Sequence, residues 1–349
     1  MTSANSAVSP VVFPYKSRIT GTGSFFPARI LSNHEISEKV ETSHEWIMER
    51  TGISERRIAN PHHHPEELNS TMAMKAAIAA LEKSGRKPED LDAILVGTCS
   101  GDTRIPSTAC WVQQKLGAHR AWAVDLNAAC SGFIYALTMA DQFIKTGTAR
   151  CILVIGSEVL SPLVDWTDRG SCILFGDGSG AAIVEQTSAS DPRGILFSKL
   201  KSEGEHWELI HMPAGGTALP INESTYSEIR EKNSDRIQMK GREIFKIAVK
   251  TLTDLALEAI TASGHSVQDI DWFVPHQANL RIIEAVAKRL DFPMEKVIVN
   301  IERFGNTSAA TVPTALDEGI RTGKIREGQL VLMDVFGAGL TSGVTLLRL

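Results

Sequence analysis

Two distant stretches of this chain are written in the same pattern. Ala80-Leu-Glu-Lys-Ser-Gly85 matches Ala259-Ile-Thr-Ala-Ser-Gly264, and at the same offset Asp90-Leu-Asp-Ala-Ile-Leu95 lies on Asp269-Ile-Asp-Trp-Phe-Val274. Each copy reads as the end of a helix, a glycine stop, a loop and a short buried strand. A second echo follows in the same order: Cys151-Ile-Leu-Val-Ile-Gly156 leading to Phe175-Gly-Asp-Gly-Ser-Gly180 parallels Leu330-Val-Leu-Met-Asp-Val335 leading to Phe336-Gly-Ala-Gly339. The unit is far longer than a solenoid period, so it predicts two similar α/β halves sharing one core. Continuous apolar strands between helices further predict sheets buried on both faces. The halves are set at 17–187 and 188–349, after a polar, small-residue tail at 1–16 that reads as disordered and lacks the marks of a signal peptide. The polar segment from about 201 to 240 reads as an excursion over or between the halves, near a substrate entrance.

Bulk properties remove several function classes. A chain of 349 residues with 43% hydrophobic content can bury a large core, and a formal net charge of −5 leaves no overall basic footprint for nucleic acid. No apolar run approaches the ~20 residues that a membrane span needs. The five cysteines, Cys99, Cys110, Cys130, Cys151 and Cys172, are odd in number and scattered through apolar runs. That argues against a disulfide framework and for a reducing, cytoplasmic compartment.

Cys130 carries the chemistry. It follows an alternating apolar strand (Trp122, Val124, Leu126) and precedes Phe133, Ala136, Leu137, Ala140 and Ile144 at helical spacing. A thiol at a helix start meets unpaired amides and the positive end of the dipole, which predicts a lowered thiol pKa and an oxyanion cradle. Two later segments, Val274-Pro-His276-Gln-Ala-Asn279 and Phe304-Gly-Asn306-Thr-Ser308, supply partners. The order Cys130, His276, Asn306 is shared with papain-like proteases, but no Cys-Gly-Ser-Cys-Trp run is present and the nucleophile is internal to a repeated fold. Acyl transfer to carbon suits it better. A cysteine accepts an acyl group from a thioester, and a neutral His with an Asn amide donates two hydrogen bonds to a second thioester carbonyl without adding net charge.

From about residue 18 to residue 349 the chain resembles the β-ketoacyl-acyl-carrier-protein synthase III family of the thiolase superfamily. The motifs are Glu45-Trp-Ile-Met-Glu-Arg-Thr-Gly-Ile53, Glu55-Arg-Arg-Ile-Ala59, Asn127-Ala-Ala-Cys-Ser-Gly-Phe133, Thr167-Asp-Arg-Gly170, Phe175-Gly-Asp-Gly-Ser-Gly-Ala-Ala182, Gly241-Arg-Glu-Ile-Phe-Lys246, His276-Gln-Ala-Asn-Leu-Arg281 and Gly305-Asn-Thr-Ser308. The resemblance implies a thiolase-like five-layer αβαβα fold, a homodimer, an acyl-CoA primer and a malonyl-acyl-carrier protein as second substrate, with no cofactor and no metal. It implies that Cys130 is acylated and that His276 and Asn306 bind the malonyl thioester carbonyl. The backbone amides of Cys130 and Ala338 would form the oxyanion hole, Ala338 standing where the family often has glycine. Trp46, Arg50 and Arg169 would hold the CoA nucleotide, Asn279 would line the pantetheine tunnel, and Lys246 and Arg281 would belong to the carrier-protein patch. Ile105 takes a place often held by phenylalanine that reaches into the partner's acyl pocket, so a longer or branched primer becomes possible. Ser342 replaces a common tryptophan.

Relatives of the same fold separate by chemistry. Phe336-Gly-Ala-Gly-Leu340 lacks the second cysteine of degradative thiolases, Asn306 stands where elongating synthases have a second His, and Cys99 fills the slot of the glutamate base of hydroxymethylglutaryl-CoA synthase. Synthase III-like enzymes of quinolone, polyketide or long-chain pathways share all three catalytic residues and stay open at this stage. A catalytically dead acyl-CoA-binding protein would be expected to lose one of the three. His62, His63 and His64 lie in a proline-flanked loop with no second ligand cluster, which speaks against a metal. Gly176, Gly178 and Gly180 imitate a dinucleotide fingerprint but lead into the strand-like Ala181-Ala-Ile-Val184 instead of a helix.

Overall fold

The computed structural model describes residues 13–349, so most of the expected tail lies outside the described residues. The first strand already begins at Tyr15, paired with Ser188. Five strands form one sheet: β1 (Tyr15–Phe25), β2 (Ala93–Gly97), β3 (Trp122–Leu126), β4 (Cys151–Glu158) and β5 (Gly178–Ser188), in the order β1-β5-β4-β2-β3. Four more form a second: β6 (Gly194–Ser202), β7 (Trp272–Pro275), β8 (Leu330–Gly337) and β9 (Thr341–Arg348), in the order β6-β9-β8-β7. The two orders are the same path. In each, one parallel pair (β2 with β4, β7 with β8) is followed by two antiparallel pairings.

The sequence echoes fall on matching pieces of these paths. Helix α2 (Asn69–Ser84) stops at Gly85 with φ +69°, and its counterpart (Gly241–Ala262, α5 below) runs out just before Gly264 with φ +74°. Each then passes through a 3-10 turn, Pro88–Asp90 or Val267–Asp269, into β2 or β7. The halves differ at one edge. β3 has no full counterpart; Val297 makes an isolated bridge to Phe273, and Ile298 N–H donates to the Phe273 carbonyl at 2.9 Å.

Strands apolar on both faces need cover on both faces, and the helices provide it in three layers. Between α2 and α5 in the chain lie α3 (Thr108–Leu116) and α4 (Gly132–Lys145); after α5 come α6 (Leu280–Arg289) and α7 (Thr311–Arg321). On the outer face of the first sheet, α2 and α3 pack on Ile94, Val96, Leu153 and Ile155. The alternate residues Leu95, Ile152 and Val154 face α4 and α7, which lie between the sheets. From the other side Val331, Met333 and Val335 close this middle layer, while Leu330, Leu332 and Phe336 turn outward to α5 and α6. The result is the five-layer αβαβα order of the thiolase-like fold. Leu137, fully buried in the middle layer, stands for many: truncating such a side chain to alanine costs about 2–5 kcal/mol.

The excursion after β6 lies against the loop that follows β4. Ile237 N–H donates to the Leu163 carbonyl at 2.9 Å and Asn233 donates to Asp165 at 2.8 Å. Met212, Leu163, Arg104 and Cys99 together line a concavity of about 630 Å³. No helix among the described residues is long and apolar enough to cross a membrane.

Candidate active site

The duplication builds the site by facing two similar turns. In the first half, β3 leads to the 3-10 turn Ala129–Ser131 and then to α4; Ala129 has φ 46°. In the second half, the 3-10 turn Ser308–Ala310 leads into α7, and Ser308 has φ 51°. The nucleophile turn is gripped by the loop after β8. A Cβ on Gly337 would come within 2.9 Å of the Cys130 amide nitrogen, so only glycine lets that backbone approach. The Thr341 hydroxyl spans the Ala128 carbonyl at 2.9 Å and the Ala338 carbonyl at 3.0 Å, so the loop bearing Ala338 is fastened to the turn bearing Cys130.

His276 and Asn306 are held by hydrogen bonds that fix what they present. His276 follows β7 directly; it is 4% exposed, and its N–H donates to the Asp334 carbonyl at 2.9 Å. Burial pushes its pKa down to about 3, so the imidazole is neutral at physiological pH. Its Nδ1 lies 2.6 Å from the Thr311 hydroxyl, which also lies 2.9 Å from the Ser308 carbonyl. That hydroxyl has one hydrogen. Given to Nδ1, it leaves Nε2–H as a donor into the site; given to the carbonyl, it leaves Nε2 as an acceptor. Asn306 is 6% exposed and straddles the halves: its N–H donates to the Leu174 carbonyl and its carbonyl accepts from Gly176. Its Oδ1 accepts the Ser308 N–H at 2.8 Å, which aims Nδ2 away as a donor without a partner among the described residues. The glycine run therefore meets the site as a strand start, with β5 beginning at Gly178.

Ser308 joins all three expected residues. Its N–H holds Asn306, its carbonyl shares the hydroxyl that touches His276, and the turn it opens packs on the turn that bears Cys130. The same hydroxyl donates to Glu158 Oε1 at 3.1 Å. Glu158, at the end of β4, is fully buried and also accepts from Thr98 Oγ1 at 3.2 Å, from the Cys99 N–H and from the Ser100 hydroxyl. Sequence reasoning missed it, because a lone glutamate closing an apolar strand looks like the first polar residue of a loop. Cys99, on the loop after β2, has its sulfur 3.5 Å from Glu158. The neighbouring strand thus brings a carboxylate beside Cys99.

The expectation of an acidic thiol is corrected. Cys130 is half-buried, and loss of water around the sulfur pushes its pKa up to about 12; the Ser308 hydroxyl opposes that shift and the Glu158 carboxylate adds to it. Position at a helix start favours the thiolate, but desolvation in this crowded centre outweighs it. The turn before α4 also separates the sulfur from the first α-helical turn.

The remaining expected residues lie outward from this centre. Trp46, on α1 (His44–Thr51), is flanked by Arg169 at 4.8 Å and Arg50 at 5.5 Å from its ring centre. Asn279 caps α6, accepting from Arg281 N–H, while its Nδ2 donates to the Arg50 carbonyl at 3.0 Å. The structure therefore brings Trp46, Arg50, Arg169 and Asn279 together. Lys246 on α5 and Arg281 on α6 are exposed on adjacent helices. Ile105 is 88% exposed on the loop between β2 and α3. Ser342 is buried in β9 opposite Phe336. His62, His63 and His64 sit in an exposed loop, and no group of three or more metal-ligating side chains occurs among the described residues.

Residues 124–204 match the family model described as 3-oxoacyl-[acyl-carrier-protein] synthase III, and residues 260–349 match its C-terminal model. The chain is 46% identical over 331 residues to a β-ketoacyl-[acyl-carrier-protein] synthase III of Thioalkalivibrio sulfidiphilus, covering 95% of this chain and 98% of that protein. With the enzyme of that name from Caldanaerobacter subterraneus it shares 48% identity over 323 residues, 93% of this chain and 95% of the other. The crystal structure of 3-oxoacyl-[acyl-carrier-protein] synthase III from Aquifex aeolicus superposes with a TM-score of 0.86 at 45% identity, covering 95% of this chain and all of that one.

Proposed function

The chain belongs to the β-ketoacyl-[acyl-carrier-protein] synthase III family, and from that premise we propose how its residues run the initiating condensation of fatty acid biosynthesis. It is an acyltransferase that joins a short acyl-CoA to malonyl-acyl-carrier protein with loss of CO2, giving 3-oxoacyl-carrier protein and CoA. In the first half-reaction the Cys130 sulfur attacks the primer thioester, with the amides of Cys130 and Ala338 receiving the oxyanion. In the second, the malonyl thioester carbonyl lies between His276 Nε2–H and Asn306 Nδ2. CO2 leaves, the enolate forms against two neutral donors, and its carbon attacks the acyl-cysteine.

The observation that carries this reading is the neutral pair. A cationic imidazolium would bind the ground-state malonyl carboxylate as well as the enolate, whereas two uncharged donors favour the charge that develops on the thioester oxygen. Trp46, Arg50 and Arg169 take the CoA nucleotide, Asn279 the pantetheine, and Lys246 with Arg281 the acidic carrier protein. We further propose a cytoplasmic homodimer in which Ile105 reaches the partner's acyl pocket, with acyl-CoA entering as substrate and no cofactor bound.

Mass spectrometry of the protein with acetyl-CoA should show an acyl adduct that Cys130→Ala abolishes; an adduct surviving that change would remove Cys130 from its role. His276→Ala and Asn306→Ala should still acylate but lose condensation by about 10²–10³-fold. Equal loss of both half-reactions would contradict the division of labour.

A further inference from the structure

A concavity of about 610 Å³ lies at the far end of the first sheet from the reaction, along β1. Among the described residues β1 pairs with β5 alone, so its other edge is free. On one face of that edge β1 runs against the last turn of α2: a Cβ on Gly21 would come within 2.6 Å of the Ser84 amide nitrogen. On the other face the Thr22 and Ser24 hydroxyls donate to Asp317 of α7 at 2.9 and 2.6 Å. That helix starts at Thr311, beside His276, and ends at Arg321 on the concavity, about 15 Å away along its axis. Gly194 packs on the Ser17 carbonyl before the concavity, and the Ser24–Asp317 bond lies beyond it. The length between them suits a small molecule better than an added strand.

Five cations line these walls, Arg18, Lys83, Arg86, Arg193 and Arg321, on a chain of formal net charge −5. The carboxylates among them are already committed. Glu185 pairs with Arg86, and Glu327 with Arg193, which Asp191 also holds at 3.0 Å. Asp317 takes its two hydroxyls and lies 3.9 Å from Arg321, while the Leu349 main-chain oxygen accepts the Gly328 N–H at 2.7 Å. Lys83 and Arg321 sit in the last turns of α2 and α7, where the helix dipole alone favours a cation. Arg18 has no such reason to be there. It stands on a strand directly across the ladder from Glu185, whose carboxylate Arg86 has taken, and it makes no ion pair among the described residues. Its Nε and the hydroxyl of Thr20, the residue that the ladder skips, are shut from solvent with no partner among the described residues. Half-buried donors and charge of this kind call for an anion rich in acceptors.

We propose that this concavity is a second anion site, separate from the one that takes the CoA nucleotide, and that it holds the phosphate or diphosphate group of a small molecule between Arg18 and Lys83. A phosphate dianion matches what the walls offer. It accepts the planar fork of Arg18, the point charge of Lys83 and a hydroxyl on different oxygens, and its two charges answer two cations that have no carboxylate of their own. A single carboxylate would answer one. Arg321, held only loosely by Asp317, stands at the mouth as a third cation for a diphosphate.

The test is calorimetric titration with inorganic pyrophosphate at about 0.15 M salt, where scattered surface charge is largely screened. The wild type should bind, and a chain carrying Arg18→Gln together with Lys83→Gln should bind about tenfold more weakly or not at all. Pyrophosphate also fits the arginines proposed for CoA, so a chain carrying Trp46→Ala and Arg169→Ala is titrated beside it and should keep the binding. Lys83 is exposed at a helix end, so Lys83→Glu alone leaves the fold intact; it should weaken binding by about tenfold and stands in if the double variant does not fold. No heat from the wild type at millimolar pyrophosphate overturns the site. Binding that survives the changes at Arg18 and Lys83, or that vanishes with Trp46 and Arg169, overturns it equally.

Discussion

At the scale of single residues, Thr311 decides what His276 can do. Nε2–H is a donor only while the Thr311 hydrogen points to Nδ1, 2.6 Å away, and the proposed condensation uses that donor. Thr311→Val keeps the shape and removes the hydrogen. Decarboxylative condensation should fall by at least about tenfold while acylation is spared, and Thr311→Ser should restore it. Nitrogen NMR of the imidazole should report Nε2–H in the wild type and a mixture in the valine variant; an unchanged spectrum with full activity would remove Thr311 from this role. The residues read from sequence here were those whose side chains announce chemistry at a strand-to-helix junction: Cys130, His276 and Asn306. Ser308, Thr311 and Glu158 were not legible, since hydroxyls and a strand-end glutamate are common and only their convergence gives them meaning. The thiol acidity was misjudged for a related reason. A helix start can be read from the sequence, but the depth at which it is buried cannot.

At the scale of elements, the echoes worked as a guide because each marks a junction whose geometry is set locally: a glycine that stops a helix, a 3-10 turn, then a strand. The pairing of β4 with β5 and of β8 with β9 followed the second echo. What did not show was divergence between the copies. β3 is a full strand in one half and a single bridge in the other, and Asp334 in β8 lies opposite apolar residues of the outer layer. Asp334 is fully buried, both carboxyl oxygens lack a hydrogen-bond partner among the described residues, and burial raises its pKa well above the usual carboxylate value. Below about pH 4 folded and unfolded chains both hold this proton. As pH rises, the unfolded chain releases it and the folded one does not, so this group's contribution to stability declines until the folded carboxyl ionises. Asparagine has no such proton to lose. In thermal melts, Asp334→Asn should gain on the wild type between pH 5 and pH 8 by about 2 °C or more, and an equal difference at both pH values would show that Asp334 is ionised in the fold.

At the scale of the whole molecule, β3 ends its sheet, and the edge it leaves is apolar. Trp122 is 41% and Val124 40% exposed on a strand that, among the described residues, pairs on one side only, with Trp111 of α3 and Ile105 exposed nearby in the chain. An unpaired edge of this kind favours another strand, and a second copy of β3 in antiparallel register meets it with the same surface. The alternation of Trp122, Val124 and Leu126 was legible as a strand, but not as an edge, because the pattern does not say which neighbour is missing. If the homodimer closes here, the wild type should behave in light scattering as about twice 38.0 kDa, and a charge at the strand centre should open it. Val124→Arg should shift the protein to monomer at micromolar concentration. On the role proposed for Ile105 in the partner's acyl pocket, it should also lower condensation by about tenfold or more. A Val124→Arg protein that stays dimeric would place the interface elsewhere, and a fully active monomer would detach Ile105 from the acyl pocket.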